Sequence, residues 1–218
     1  MKSKVTPTQR ALNLWAIILI IWAIYRAKFR LPEWFDEFIA KPLVFIIPVY
    51  YYIKKIEKKP FFPTIDLKVR FAAADFIIAF IIGGIFSFSA ILANIFKFKK
   101  LIFFQHAISI ENVLFMTALA LATAISEEIL SRGFVLKRLY EESKNIYTSS
   151  FFASILFFFL HVPILFTNFK LTGDLLLLFL ATDLMLSLVN SFVFLQRRSL
   201  IVPILIHAFY NLSIILFV

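Results

Sequence analysis

The chain of 218 residues is 61% hydrophobic, with 29 phenylalanines, four glycines and no cysteine, and its mean hydropathy is +0.90. A soluble domain contains about 45–50% apolar residues, so this composition indicates a membrane protein, and the lack of cysteine excludes disulfides and thiolate chemistry. The net charge of +10 does not indicate nucleic-acid binding, because the basic residues separate apolar runs and form no basic domain of their own.

Seven apolar segments predict seven membrane-spanning helices, each near the length of about 20 residues that a bilayer requires. The second is the weakest, because acids stand at its start and Pro42 and Pro48 lie inside it. No run of about ten residues alternates apolar and polar side chains as a barrel strand does. We therefore expect an all-α, polytopic transmembrane helical bundle of about seven spans, with six to eight as the range. The predicted spans lie near 11–27, 35–53, 71–96, 113–138, 148–168, 174–196 and 199–217.

Basic residues between these segments predict the orientation. With the N-terminus inside, fourteen Lys and Arg residues lie on the inner side and eight, among them Lys41, on the outer side. Basic loops favour the cytoplasm, so we expect a multi-pass protein of the cell membrane with its N-terminus inside. Residues 1–218 are predicted to form one membrane-embedded domain, in which the first three spans carry little chemistry.

The fourth span contains the sequence AISEEILSRG at residues 124–133, whose charges are costly in lipid. A charged side chain at the centre of a span costs at least about 2.5–3.5 kcal/mol. Glu128 and Arg132 are four residues apart on one helical face and can neutralise each other, and a purely structural ion pair would explain them. Glu127 points about 100° away, so it needs a partner from another helix.

Two later spans add polar side chains at helical spacing. His161 ends an apolar run one turn after Phe157, and His207 and Asn211 are four residues apart in the last span. Each pattern alone is explained by packing inside the bundle. Together with Glu127 they provide four polar groups from three helices, which predicts a shared polar site.

Three motifs follow one another on successive apolar segments: EEILSRG fits EExxxRG, FFFLH contains FxxxH, and HAFYN fits HxxxN. The chain therefore resembles the CPBP family of intramembrane glutamate proteases, also called the CAAX protease and bacteriocin-processing or Abi family, which includes the Ras-converting CAAX endopeptidase. The resemblance covers about residues 113–218, which would be the catalytic core, and leaves 1–112 as variable N-terminal spans. It implies an endopeptidase that acts on a membrane-embedded or lipidated protein or peptide, in CAAX-type processing or a related reaction.

The resemblance also implies a role for each motif residue. Glu127 and His161 would activate a water molecule, and His207 and Asn211 would stabilise the oxyanion. Peptide hydrolysis needs a nucleophilic water and donors for the developing oxyanion, and these residue types supply both. The implied supporting residues are Glu128, Arg132 and Phe157.

Other interpretations stay open. No cofactor is expected, although Glu127, His161 and His207 would also serve as a zinc ligand set; the chain lacks HExxH. A non-catalytic membrane regulator or bacteriocin self-immunity protein is one alternative, and a transporter that uses intramembrane acids such as Asp75 and Asp183 is another. Asp75 is expected at the membrane interface, and Asp183 deeper, at the site or at a helix contact. The intact motifs favour the enzyme, and no internal repeat typical of transporters is visible.

Overall fold

The structure is a computed structural model that describes residues 5–67, 73–100, 109–165 and 173–217, and in these ranges the chain forms helices and no strand. The predicted all-α class is therefore confirmed. The predicted start of the third span, at 71, and the predicted end of the fifth, at 168, lie outside the described residues. The helices are α1 (Pro7–Lys28), α2 (33–56), α3 (Phe61–Thr64), α4 (Ala73–Phe98), α5 (Ile110–Ser143), α6 (Ile146–Leu165), α7 (Gly173–Arg197) and α8 (Ile201–Phe217).

Five helices in the described part of the chain are long and apolar enough to cross a membrane, namely α1, α4, α5, α6 and α7. α8 is apolar but shorter, and wide turns interrupt α2. Large apolar side chains on the outside of the bundle are more than half exposed. Such exposure is unfavourable in water but not in contact with lipid. This architecture confirms a helical membrane bundle. Examples of these outward side chains are Ile20, Ile24, Phe80, Ile85, Phe88 and Phe96.

α2 departs from regular α-helical geometry. Its backbone makes π-helical turns over Asp36–Ala40, Pro42–Ile46 and Tyr52–Ile56, so that the N–H of Lys41 donates to the carbonyl of Asp36 five residues earlier. The prolines at 42 and 48 lack the N–H that an α-helical ladder needs, and π turns of this kind are common at functional sites. In this segment the side chains of Glu37 and Lys41 are buried.

α5 is the central helix and contacts α1, α2, α6, α7 and α8. Its N-terminus is capped by Ser109, whose hydroxyl accepts from the backbone N–H of Asn112 at 3.2 Å, which satisfies one of the free donors of the first turn. Directly after Glu128 the helix changes to π-helical turns over Ile129–Leu136, and every side chain of that stretch is buried. The second half of the EExxxRG motif therefore lies in the interior of the bundle.

Two apolar clusters hold the helices together around the polar residues. One contains residues of α1, α2, α5, α6, α7 and α8, among them Trp22, Phe45 and Phe157. The other joins α4, α7 and α8 and includes Leu186 and Ile206. Since α5 packs on α6, α7 and α8, the helices that carry the three motifs meet inside the bundle.

Candidate active site

One carboxylate oxygen lies beside both motif histidines. Glu127, His161 and His207 are 3%, 8% and 1% exposed. The Oε2 atom of Glu127 is 3.6 Å from Nε2 of His161 and 3.6 Å from Nε2 of His207. Both distances are too long for a hydrogen bond, and Oε2 has no hydrogen-bond partner among the residues that the structure describes. α5, α6 and α8 thus bring two imidazoles next to an unpaired carboxylate oxygen.

The other carboxylate oxygen of Glu127, Oε1, is bound by Lys41, which was not among the predicted site residues. Lys41 donates from Nζ to Oε1 of Glu127 at 2.7 Å, and it also forms an ion pair with Glu37 at 2.6 Å. From the sequence, Lys41 was expected on the outer side with the other basic residues there, but its side chain is buried in the site. The available signal was the spacing of four residues between Glu37 and Lys41 inside an apolar segment, the same spacing that identified Glu128 and Arg132.

Glu128 is completely buried and accepts three hydrogen bonds at Oε1. The donors are Arg132 at 2.9 Å, Nδ2 of Asn190 at 3.0 Å and Nδ1 of His207 at 2.9 Å. The structure therefore contains the predicted pair of Glu128 and Arg132, and it adds two partners from other helices. Because a carboxylate only accepts, Nδ1 of His207 carries a hydrogen, and its Nε2 faces Glu127. Arg132 is further fixed by its donation to the carbonyl and hydroxyl of Ser187, at 3.0 and 2.8 Å.

His161 lies between two acids. Its Nε2 faces Glu127, and its Nδ1 is 3.4 Å from Oδ2 of the buried Asp183 and 3.3 Å from the carbonyl of Phe157. The Phe157 ring packs against both histidines, with centroid distances of 4.8 Å to His161 and 5.7 Å to His207. Asp183 is thus placed at the site, whereas Asp75 pairs with Arg197 at 2.6 Å near the start of α4.

Asn211 follows His207 by one helical turn on α8. Its side-chain nitrogen Nδ2 is buried and has no hydrogen-bond partner in the described part of the chain. A buried amide donor without a partner is uncommon, because it has given up water without compensation. Among the described residues the site therefore contains unpaired acceptor oxygens on Glu127, Glu128 and Asp183 and an unpaired donor on Asn211. A water nucleophile requires an acceptor and an oxyanion requires a donor, and the acceptor that faces both histidines is the one on Glu127.

The sequence allowed Glu127, His161 and His207 as a zinc ligand set, and the structure shows what surrounds them. Among the described residues, no group of three or more His, Asp or Glu side chains has the arrangement of a metal site. Glu127, His161 and His207 do converge, but the ammonium of Lys41 donates to Glu127 and would repel a second cation beside it. This contact is the feature of the site that disfavours a zinc ion at these three residues.

Comparison with known proteins identifies a family for the later part of the chain. Residues 109–213 match a family model described as type II CAAX prenyl endopeptidase Rce1-like. This segment contains all three motifs, so the resemblance based on them is confirmed. No curated protein and no solved structure matches the chain.

Proposed function

Because residues 109–213 belong to the Rce1-like CAAX endopeptidase family, we propose that this integral membrane protein hydrolyses a peptide bond in a membrane-embedded or lipidated substrate. The observation that carries the proposal is the unpaired Oε2 of Glu127, which is buried 3.6 Å from two imidazoles while Lys41 holds the other oxygen. An unpaired buried acceptor costs about 1–3 kcal/mol, and more when it is charged. A hydrolytic water bound there would remove that cost.

In the proposed reaction Glu127 is the general base and His161 its partner. Oε2 of Glu127 takes a proton from the water while the water oxygen bonds to the substrate carbonyl carbon. His161 orients the water from Nε2, and Asp183 and the Phe157 carbonyl orient the ring from Nδ1. When the tetrahedral intermediate collapses, the C–N bond breaks and the proton on Glu127 passes to the leaving amine.

The developing oxyanion is stabilised by α8. Nε2 of His207 and Nδ2 of Asn211 are the proposed donors, and they lie one turn apart on that helix. Since Nδ1 of His207 already donates to Glu128, Nε2 donates to the oxyanion only when the ring carries a hydrogen on both nitrogens. The apolar helices exclude bulk water, which strengthens each of these contacts.

The substrate class follows from the family and the setting. The family model is described as a prenyl endopeptidase, so a peptide with a lipidated CAAX-type C-terminus is the first substrate to test. The bilayer is the second partner, and we place the protein in the cell membrane. No role for nucleic acid is proposed.

The test compares wild type with Glu127→Ala in liposomes, using a fluorogenic prenylated CAAX-type peptide and a library of membrane-protein peptides. We expect Glu127→Ala to lose about 10²–10⁴-fold in kcat, the range for loss of a general base. Glu142→Ala is the matched control, because Glu142 is exposed on the same helix. Its cleavage rate should equal that of wild type.

Three results would contradict parts of the proposal. Cleavage that survives Glu127→Ala would remove Glu127 as the base. Loss of cleavage with a strong chelator, reversed by zinc, would restore the zinc interpretation. If folded wild-type protein cleaves nothing and a cellular phenotype persists in Glu127→Ala cells, the protein is a non-catalytic regulator or self-immunity protein.

A further inference from the structure

Lys41 connects α2 to the candidate base and lies outside the segment 109–213 that matches the family. Its ammonium lies 2.7 Å from Oε1 of Glu127 and 2.6 Å from Oε2 of Glu37. On a third side the ammonium faces the Trp22 ring, and Nζ lies 5.9 Å from the centroid of that ring. The ammonium is therefore surrounded by two carboxylates and an aromatic ring, which compensate its burial.

The contact belongs to a network with two residues on each helix. α2 contributes Glu37 and Lys41, and α5 contributes Thr123 and Glu127, each pair four residues apart and therefore on one helical face. Thr123 donates its hydroxyl to Glu37 at 2.7 Å, and Lys41 bonds both carboxylates. The contacts of Lys41 with Glu37 and with Glu127 together fix the position of its ammonium. A single ion pair would leave the ammonium freer to move.

We propose that Lys41 is a positioning residue for the base, an inference that rests on the proposed function and adds a residue from the N-terminal half to it. By bonding Oε1, the ammonium fixes the rotation of the carboxylate, so that Oε2 is the oxygen that faces the imidazoles of His161 and His207. It also balances the negative charge of a carboxylate that is buried. Without Lys41, Glu127 is free to turn or to pair elsewhere.

A purely structural ion pair makes a different prediction. In that case Lys41 only holds α2 against α5, and its loss lowers the stability without changing the rate of each folded molecule. A positioning role lowers kcat in folded protein and leaves KM unchanged, because the base does not hold the substrate in the ground state. The two roles are therefore separated by kinetics on the folded fraction.

The experiment compares Lys41→Met, Lys41→Arg and the control Lys55→Met, purified as folded protein in liposomes with the prenylated CAAX-type peptide. Lys55 is exposed on the same helix. We expect Lys41→Met to lose about 100-fold in kcat, the scale that a misplaced catalytic group produces, with KM close to that of wild type. Lys41→Arg keeps the charge and the donors and should recover part of the rate, and Lys55→Met should match wild type.

A second variant covers a failure of Lys41→Met to fold. Glu37→Gln combined with Lys41→Gln removes one negative and one positive charge together, so the net charge of the network is unchanged. The amide oxygen introduced at position 37 still accepts from Thr123, while the ammonium beside Glu127 is gone. The same loss in kcat is expected.

The outcomes separate this inference from the function on which it rests. Wild-type kcat in folded Lys41→Met or in the double variant, with Glu127→Ala inactive, overturns the positioning role and leaves the endopeptidase proposal intact. A loss of kcat that Lys55→Met does not share supports the positioning role. If folded wild type and Lys55→Met both cleave nothing, the endopeptidase proposal fails and the positioning role fails with it.

Discussion

His207 joins the two adjacent glutamates of the EExxxRG motif. Its Nδ1 donates to Glu128 at 2.9 Å and its Nε2 lies 3.6 Å from Glu127. From the sequence, Glu128 was predicted only as the ion-pair partner of Arg132, with a structural role, and Glu127 was predicted as the catalytic acid. In the structure the same oxygen binds both Arg132 and His207, so Glu128 supports the fold and also orients a proposed catalytic ring.

Glu128→Gln should therefore damage stability and also lower the rate. The change leaves the buried guanidinium of Arg132 without its carboxylate, and breaking a buried pair costs about 3–5 kcal/mol of unfolding free energy. Thermal unfolding in detergent and kcat on the folded fraction measure the two effects, with the exposed Glu142→Gln as control. We expect the loss of stability to be the larger effect. A well-folded Glu128→Gln protein as inactive as Glu127→Ala would contradict this order.

Asp183 is the second residue for which the contacts support a role. Its Oδ2 lies 3.4 Å from Nδ1 of His161, beside the Phe157 carbonyl that contacts the same nitrogen at 3.3 Å, and we propose that this carboxylate favours a hydrogen on Nδ1. Asp183→Asn keeps the volume but replaces one acceptor by an amide donor, so we expect kcat to fall by about 10–100-fold, as for residues that orient a working histidine.

Asp75→Asn is the matched control for Asp183→Asn, because Asp75 is buried and pairs with Arg197 rather than with a histidine. Its kcat in folded protein should equal that of wild type. Kinetics on both purified variants with the same peptide give the comparison. Equal rates for Asp183→Asn and wild type would leave Asp183 as a helix contact only.

At the scale of the helices, the geometry of α5 determines where the side chains of the EExxxRG motif point. The segment 113–138 predicted a span, and the helix runs over Ile110–Ser143. The sequence did not indicate that the turns widen over Ile129–Leu136, because the apolar pattern there suits either helix type. The wide turns begin directly after Glu128 and include Gly133, the last residue of the EExxxRG motif.

Gly133 allows a close contact between α5 and the segment after α3. A Cβ atom at position 133 would lie 2.9 Å from Cβ of Ile65, which is fully buried and cannot easily move. Gly133→Ala should therefore lower the unfolding free energy by about 1–3 kcal/mol, the usual cost of overpacking. Gly84→Ala is the control, because no atom of the described residues lies within 4 Å of the added atom. Equal melting temperatures for the two variants would contradict the predicted clash.

At the scale of the whole molecule, residues far apart in sequence meet across the bundle. Lys41 and Glu127 pair across 86 positions, and Glu128 and His207 across 79. Three basic residues near helix ends also pair with acids that are distant in sequence, which ties these ends together. These pairs are Arg138 with Glu57 at 2.7 Å, Lys137 with Asp66 at 2.6 Å and Arg197 with Asp75 at 2.6 Å.

The division into variable N-terminal spans, 1–112, and a catalytic core, 113–218, stays a prediction. The ordered motifs and the match over 109–213 belong to the second part. The contact between Lys41 and Glu127 shows that α2, from the first part, reaches the candidate site.

The amino-acid sequence by itself determined the features that depend on composition and local spacing. A high apolar content requires lipid around the chain, and long apolar runs in lipid must form helices, because every backbone group needs an internal partner. The spacing of four residues was sufficient to pair Glu128 with Arg132, and three ordered motifs were sufficient to indicate the family.

Tertiary packing decided the features that depend on which helix faces which. No local spacing relates Lys41 to Glu127 or Asp183 to His161, because each pair joins two helices whose rotation and depth are set by the side chains packed between them. The unpaired oxygen of Glu127 is visible only once Lys41, His161 and His207 are in place. The sequence could therefore nominate Glu127 as the working acid, but only the packed bundle shows which oxygen is held and which faces the histidines.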